Sequence, residues 1–316
     1  MDQTIKVDDM NINDTQSSDD AKLQAMNSVQ QHRRQILADG CREYADVVNK
    51  PKAVYWQAPL SMHFYDDQLQ YVYCRVPKVA NTNWRRTLIM LTGKLTNYSR
   101  PEQIPFELVH EKTVRYKHIG VLNTLLPDDS DWRLRKYFKF IFVREPLERL
   151  LSAFRDKLLF KKDDYKDIDV DIVQKYRPRE YRPSVKRYNV TFAEFVRYVL
   201  DEHAAGSVLD RHWLPQSKVC SVCEPLFEFI GHYETLDTDV ELVVSKLKSR
   251  VHDQQQRRQV DHITFPSGSS HTSKTNGLMK QMYSTIPAQH IQALYKLYAV
   301  DYALFGYEHP NVTGFY

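Results

Sequence analysis

The sequence predicts an α/β fold in which a central, mainly parallel sheet is flanked by helices. Two segments carry that expectation. Residues 71–93, YVYCRVPKVANTNWRRTLIMLTG, pass from a β-rich run into a helical period. Residues 137–158, YFKFIFVREPLERLLSAFRDKL, pass from an almost unbroken apolar run into an amphipathic helix. Strands that alternate with helices in this way belong to parallel pairing, because a parallel pair needs a crossover between its strands.

Residues 1–20 hold six aspartates against one lysine and few large apolar side chains, so residues 1–40 read as a flexible N-terminal stem. Folded structure is expected to begin between residues 28 and 55, with one domain over 41–316. The first strand spans Tyr71 to Val76 and is stopped by Pro77. From Thr82 the apolar residues Trp84, Leu88 and Leu91 recur at i, i+4 and i+7, a helix with one buried face, and Gly93 supplies its stop. The second strand, Tyr137 to Val143, is apolar except for Lys139 and looks buried on both faces. Pro146 suits the first turn of the next helix, whose buried face is Leu147, Leu150, Leu151, Phe154 and Leu158. TFAE at 191–194 is a capping box, opening a helix with Phe192, Phe195, Val196 and Val199 turned inward. Residues 227–236 read as a strand and turn before a helix through Leu247. Ile291, Leu294, Tyr295, Tyr298, Tyr302 and Phe305 outline a last long helix.

Across the 316 residues, 44 Lys plus Arg against 40 Asp plus Glu leave a net charge of only +4, so any polyanion site must be a local patch. No apolar window is long enough to span a membrane, and the first residues lack a basic-then-apolar signal. Sequons at Asn13, Asn97, Asn189 and Asn311 suit a lumenal protein. Cys41, Cys74, Cys220 and Cys223 allow three disulfide pairings. The single C-x-x-C pair is weak grounds for zinc; a disulfide or two buried thiols fits better, and no metal is expected.

Two loops follow the two strands, and ligands of parallel sheets bind at the carboxyl ends of strands. Lys78, Asn81, Thr82 and Asn83 surround a helix N-terminus, where N–H groups without helical partners attract anions. No glycine lies between Tyr71 and Leu91, so a Walker A loop and an ordinary ATP site are disfavoured. A capped surface helix accounts for this segment alone equally well. Arg144 lies at the end of the second strand and Ser152 on the polar side of its helix. Two anion sites at separate strand ends suit a nucleotide with phosphates at two separated places.

With these residues in place, the sequence resembles the Golgi carbohydrate sulfotransferases, in the branch of the chondroitin and dermatan 4-O-sulfotransferases and the HNK-1 sulfotransferase. RVPKVANTNWRR is similar to that family's 5'-phosphosulfate loop, and FVREPLERLLSAFRDK to its 3'-phosphate motif. IPFELVH (104–110), FAEFV (192–196), HWLPQSKVCSVC (212–223), IGHYETLDTD (230–239) and DYALFGY (301–307) extend the similarity over about residues 41–308. The resemblance implies a P-loop-like sulfotransferase fold and the donor 3'-phosphoadenosine 5'-phosphosulfate. It further implies that Arg75, Lys78, Thr82 and Asn83 hold the 5'-phosphosulfate, that Arg144 and Ser152 hold the 3'-phosphate, and that His110 is the acceptor's base, with His212 as competitor. The expected reaction is transfer to a glycan hydroxyl, most simply the 4-position of N-acetylgalactosamine in chondroitin or dermatan, with HNK-1-type or terminal N-acetylgalactosamine acceptors as the alternatives.

The implied partner is an acidic glycan or proteoglycan rather than a nucleic acid. Lys175, Arg177, Arg179, Arg182, Lys186 and Arg187, interleaved with Tyr176, Tyr181 and Tyr188, are the expected acceptor path, although a solvated face or a single-stranded nucleic-acid site has the same pattern. A non-catalytic polyanion binder would keep that patch without needing two anion loops. The polar segment 252–277 is expected to be a mobile lid. Location at the lumenal side of the Golgi membrane also follows from the resemblance alone, since family members usually carry an N-terminal anchor that this chain does not display.

Overall fold

The computed structural model describes residues 8–48, 60–110, 118–160, 163–224, 226–266, 271–310 and 312–315, with side chains described for the same residues except 8–23, 271–276, 312 and 313. Five strands form one sheet: β1 (His63–Asp66), β2 (Tyr71–Cys74), β3 (Gly120–Val121), β4 (Phe138–Val143) and β5 (Phe229–His232), in the order β3-β1-β2-β4-β5. β1 runs antiparallel to both β2 and β3, whereas β2–β4 and β4–β5 are parallel. The sheet is therefore mixed, which corrects the expectation of a mainly parallel one. The antiparallel half is a hairpin at one side, and its signal in the sequence is faint. The turn holds no Asn-Gly or Asp-Gly pair; instead Asp66 accepts hydrogen bonds from the Gln68 and Leu69 amides, and Gln70 takes φ 48°.

The parallel half matches the reading closely. Every residue of β2 and β4 is buried, as a strand covered on both faces requires. The helix after β2 spans Asn81–Leu91 and ends before Gly93, at φ 67°. The helix after β4 spans Pro146–Phe154 and continues as a π turn over Arg155–Leu159. The capping box at Thr191 and Glu194 opens the helix Phe192–Ala204, and the last long helix is Ala288–Phe305. Around Trp84 the rings of Tyr73, Phe140, Phe142 and Phe265 pack into one aromatic core over the sheet.

Two further expectations meet a different structure. The presumed flexible stem contains a helix, α1 (Asp8–Glu43), that runs through the expected boundary at residue 40. Gln30 is the first buried side chain described, within the window in which folding was expected to start. Its amide donates to the Ile230 carbonyl and accepts from the Ile230 amide, each at 3.1 Å, so a side chain completes the ladder of edge strand β5. Arg33 adds bonds to the Ile230 carbonyl and to Asp239. Beside these polar contacts, Leu37 is the one buried apolar side chain among the described residues of α1, which leaves little apolar periodicity to read. The presumed lid, residues 252–277, is largely helical: Gln254–Val260 is one helix and His271–Tyr283 begins another, with Val260, Ile263 and Phe265 in the core. Residues 267–270 lie outside the described residues.

The two cysteines of C-x-x-C do not pair with each other. Cys41 is bonded to Cys223, tying the end of α1 to the body, and Cys74 to Cys220, tying β2 to the short helix Gln216–Cys220. Digestion under non-reducing conditions should release these two cross-linked peptide pairs and no others. Replacing Cys74 and Cys220 together by Ala should lower stability by about 2–5 kcal/mol in a thermal or denaturant unfolding measurement, since that bond closes a loop with a sequence separation of 146.

Candidate functional site

The loop between β2 and Asn81–Leu91, here called α2, reaches a tight phosphate-loop-like shape without glycine. Lys78 and Ala80 both adopt left-handed backbone, φ 72° and 51°, where glycine would be the unstrained choice. Asn81 closes the loop by donating to the Val76 carbonyl at 2.7 Å and accepting from the Tyr73 hydroxyl. Ala80 occupies the cap position, and no side chain caps α2. Its first amides, at Asn81, Thr82 and Asn83, therefore keep the positive end of the helix available to an anion.

The second loop lies beside the first because β2 and β4 are neighbours. Arg144, at the end of β4, donates through Nη1 to the Lys78 carbonyl at 3.2 Å, so both loops share one site. Gln216 fixes its backbone, accepting from the Arg144 amide and donating to the Arg144 carbonyl. The Arg144 guanidinium is 1% exposed, bonded to Glu148 at 2.6 Å, and lies 4.1 Å over the Tyr233 ring. Its Nε has no hydrogen-bond partner among the described residues, an orphaned buried donor of the kind a bound anion satisfies. Glu145 caps the following helix, α3 (Pro146–Phe154), by accepting from the Glu148 amide. Ser152 is half-buried on α3.

Lys78 itself is paired: Nζ lies 3.1 Å from Asp156 Oδ2, and Lys157 reaches the same oxygen at 3.2 Å. Burial pushes the Lys78 ammonium down from its ordinary pKa, opposed by Asp156. Burial pushes Asp156 up, but the charges of Lys78 and Lys157 outweigh it and hold the carboxyl below its usual range. Arg75 donates to the Ser61 carbonyl and stacks over Phe64 at 4.8 Å, on the flank of the loop that Arg85 also approaches.

His110 ends the short helix Phe106–His110 and meets the first turns of α2. Its Nε2 is 3.3 Å from Thr82 Oγ1, its Nδ1 is 2.7 Å from Arg85, and Phe106 stacks on the ring at 4.1 Å. Because a guanidinium only donates, Nδ1 is the acceptor, and the neutral ring carries its proton on Nε2. His212 has the opposite character. Asp210 lies 2.7 Å from Nδ1 and the Tyr165 hydroxyl is as close, so this imidazole is anchored in a buried polar knot. Burial lowers its pKa to about 4 against the pull of Asp210. The structure thus brings His110, Lys78, Thr82, Asn83, Arg144 and Ser152 around the paired loops, with Arg75 at their edge.

The basic patch is less open than expected. Lys175 pairs with Asp201 and Glu202, Arg177 with Glu180 and Glu194, and Arg187 with Asp169. Arg179, Arg182 and Lys186 remain as exposed cations. Functional positions absent from the sequence reading include Arg85, Glu148, Arg149, Asp156, Gln216 and Asp301. Arg149 is buried and donates to the carbonyls of Pro77, Leu214 and Arg211. Asp301, also buried, accepts from the Gln216 and Ser217 amides and the Ser217 hydroxyl. The detectable signal was the four-residue spacing of Arg144, Glu148, Ser152 and Asp156.

Two cation-bearing loops at adjacent parallel strand ends define a class of protein built to hold a polyanionic ligand at the carboxyl edge of its sheet. The chain belongs to the sulfotransferase family, whose description, "Sulfotransferase family", matches residues 61–308. It is similar to carbohydrate sulfotransferase 14 of Danio rerio, with 30% identity over 305 residues that cover 94% of this chain and 76% of the relative. Carbohydrate sulfotransferase 11 of Mus musculus is 30% identical over 285 residues, 89% of this chain and 76% of the relative. Carbohydrate sulfotransferase 9 of Homo sapiens is 28% identical over 294 residues, 92% and 62%. No solved structure matches the chain.

Arg149→Met should cost about 3–5 kcal/mol of unfolding free energy, because three buried carbonyls lose their donor. Acid should also destabilise the protein. His212 and His232 are held near pKa 4 and 3, chiefly by burial, against an ordinary 6.5. Between those values and 6.5 the unfolded chain binds more protons, so stability rises with pH there and is lost as pH falls, by up to about 1.4 kcal/mol per unit per group. Chemical denaturation at a series of pH values from 7 to 4 should show this slope, and His232→Asn should flatten it.

Proposed function

We propose that this enzyme moves a sulfuryl group from 3'-phosphoadenosine 5'-phosphosulfate to a glycan hydroxyl, with the 4-position of N-acetylgalactosamine in chondroitin or dermatan as the acceptor. The observation that carries the reading is the bond from Arg144 to the Lys78 carbonyl, which joins two anion loops into one site. Lys78, Thr82, Asn83 and the uncapped amides of α2 receive the 5'-phosphosulfate, with Arg75 supporting the loop from its flank. Arg144 and Ser152 receive the 3'-phosphate; the guanidinium can grip two phosphate oxygens, while the lysine acts as a movable point charge.

In this reading the residues work mainly by position and charge. Lys78 stabilises charge gathering on the oxygen that links phosphorus to sulfur as that bond breaks. His110 takes the proton of the attacking hydroxyl on Nδ1, which requires Arg85 to release that nitrogen and turn its charge toward the sulfuryl oxygens. A metal ligand set is not part of the proposal. The acceptor's acidic groups pass over Arg179, Arg182 and Lys186, the exposed cations of the patch without a carboxylate partner among the described residues.

A lumenal location, as in the Golgi, is supported by the two disulfides, which form in oxidising compartments, and by exposed sequon residues Asn97 and Asn189. No described helix is long and apolar enough to cross a membrane.

The deciding assay is transfer of labelled sulfate from the phosphoadenosine donor to desulfated chondroitin and dermatan, followed by position-resolved disaccharide analysis. Label at the 4-position is expected; transfer only to glucuronic-acid-terminated or terminal N-acetylgalactosamine glycans would replace the acceptor and leave the donor. Lys78→Ala should lower kcat by about 10²–10³-fold with an unchanged melting temperature. His110→Ala should lower kcat by about 10²–10⁴-fold without weakening the binding of adenosine 3',5'-bisphosphate.

A further inference from the structure

We propose that Glu148 and Asp156 are positioning residues of the donor site, holding Arg144 and Lys78 as carboxylate stand-ins that are exchanged for the donor's phosphate and sulfuryl oxygens at each turnover. The inference rests on the donor reading above and deepens it. Arg144, just past β4, Glu148 and Ser152, on α3, and Asp156, in the π turn after it, are spaced by four in the sequence and follow one another as a stripe along this stretch. The stripe runs cation, carboxylate, hydroxyl, carboxylate. Ser152, the residue assigned to the 3'-phosphate, therefore sits between two acids. That is an unfavourable lining for a phosphate unless the acids have work elsewhere.

Their work is visible in the pairing. Glu148 accepts from Arg144 Nη2 at 2.6 Å, with the two side chains 10% and 1% exposed. Asp156 lies 3.1 Å from Lys78 Nζ, with the side chains 33% and 17% exposed. Each cation of the donor site is thus held by a carboxylate of this segment, Glu148 from the first turn of α3 and Asp156 from the π turn Arg155–Leu159 that continues it. Such turns inside helices often occur at functional sites. Lys157 stays on Asp156 at 3.2 Å and keeps that carboxylate compensated when Lys78 leaves. The groups facing Lys78 are Asp156, Lys157 and Arg144.

The exchange has two consequences. Between turnovers the largely buried cations are not left without counter-charges, a costly condition in a low-dielectric site. During turnover, the returning carboxylates compete with the spent nucleotide and promote its release, which often limits the rate of such enzymes. Affinity is given up for turnover.

The test is titration calorimetry of adenosine 3',5'-bisphosphate into the full chain, beside steady-state kinetics. Asp156→Asn should bind the bisphosphate about tenfold more tightly and show a lower kcat with a lower donor KM, whereas Asp156→Glu should restore both values toward wild type. Glu148→Gln should shift affinity the same way, and because its pair is more buried, Asp156 carries the test if that variant does not fold. A purely structural role would leave affinity unchanged or weakened. If wild type binds and Asp156→Asn binds no more tightly, this inference falls alone; if wild type does not bind the bisphosphate, the donor reading falls and takes the inference with it.

Discussion

The candidate site depends on one buried cation whose described hydrogen bonds run to three backbone carbonyls. Arg149 sits on α3 with its guanidinium enclosed, and donates to carbonyls of Pro77, Arg211 and Leu214. Those three acceptors come from the donor loop after β2 and from the segment before the helix Gln216–Cys220. A guanidinium spreads its donors in a rigid plane, so it fixes the relative placement of both segments as a flexible ammonium would not. Burial lowers its pKa, opposed by the carboxylates of Asp301 and Asp210, so the clamp is itself held from the last long helix and from the 210–217 segment. Asp301 extends the same logic by capping Gln216–Cys220, and Gln216 then fixes the backbone of Arg144. Loop, helix and strand end are connected through polar groups that satisfy one another.

That construction explains how a phosphate-type loop forms without glycine. Left-handed backbone at Lys78 and Ala80 is disfavoured for residues with a Cβ, typically by about 1–2 kcal/mol each. The conformation persists because its neighbours overdetermine it: Asn81 ties the loop across its base, Arg149 holds the Pro77 carbonyl and Arg144 holds the Lys78 carbonyl. A glycine-rich loop would reach the same shape without strain but would also leave it readily. Strain held in place by three side chains gives a loop with one shape, suited to chemistry in which positioning supplies most of the rate.

How much of this was legible follows from which interactions leave a pattern. β2, β4 and their helices were read nearly to the residue, because continuous burial and helical period are local signals. The hairpin strand β1 and the two-residue β3 were not, since His63–Asp66 has neither alternation nor a recognisable turn pair, and its presence changes the sheet from mainly parallel to mixed. α1 was invisible because its described docking contacts with β5 are made by Gln30 and Arg33, polar residues that a hydrophobicity scan discards. The residues of the candidate site were named from loop chemistry and resemblance. Their partners, Glu148, Asp156, Arg149 and Gln216, were not, because a buried ion pair or a side chain bonded to a distant carbonyl has no signature until the fold brings the groups together.

The contrast between the two histidines shows the same limit acting on function. From sequence alone, His110 and His212 compete for one role, that of the acceptor's base. In the fold they divide by partner. His212 is held by Asp210 and Tyr165, deep enough that burial keeps it neutral across the physiological range, which suits an element that ties the 210–217 segment to Tyr165. His110 is exposed, leans on Thr82 of the donor loop, and has its second nitrogen occupied by Arg85, a cation with another possible destination once sulfuryl oxygens are present. In the proposed reading, an arginine that exchanges the imidazole for an anion would make His110 available as the base only once the donor is bound. Such an ordering would favour transfer to the acceptor over reaction of an incomplete site, and it requires no moving lid, in keeping with a 252–266 segment that is built into the core.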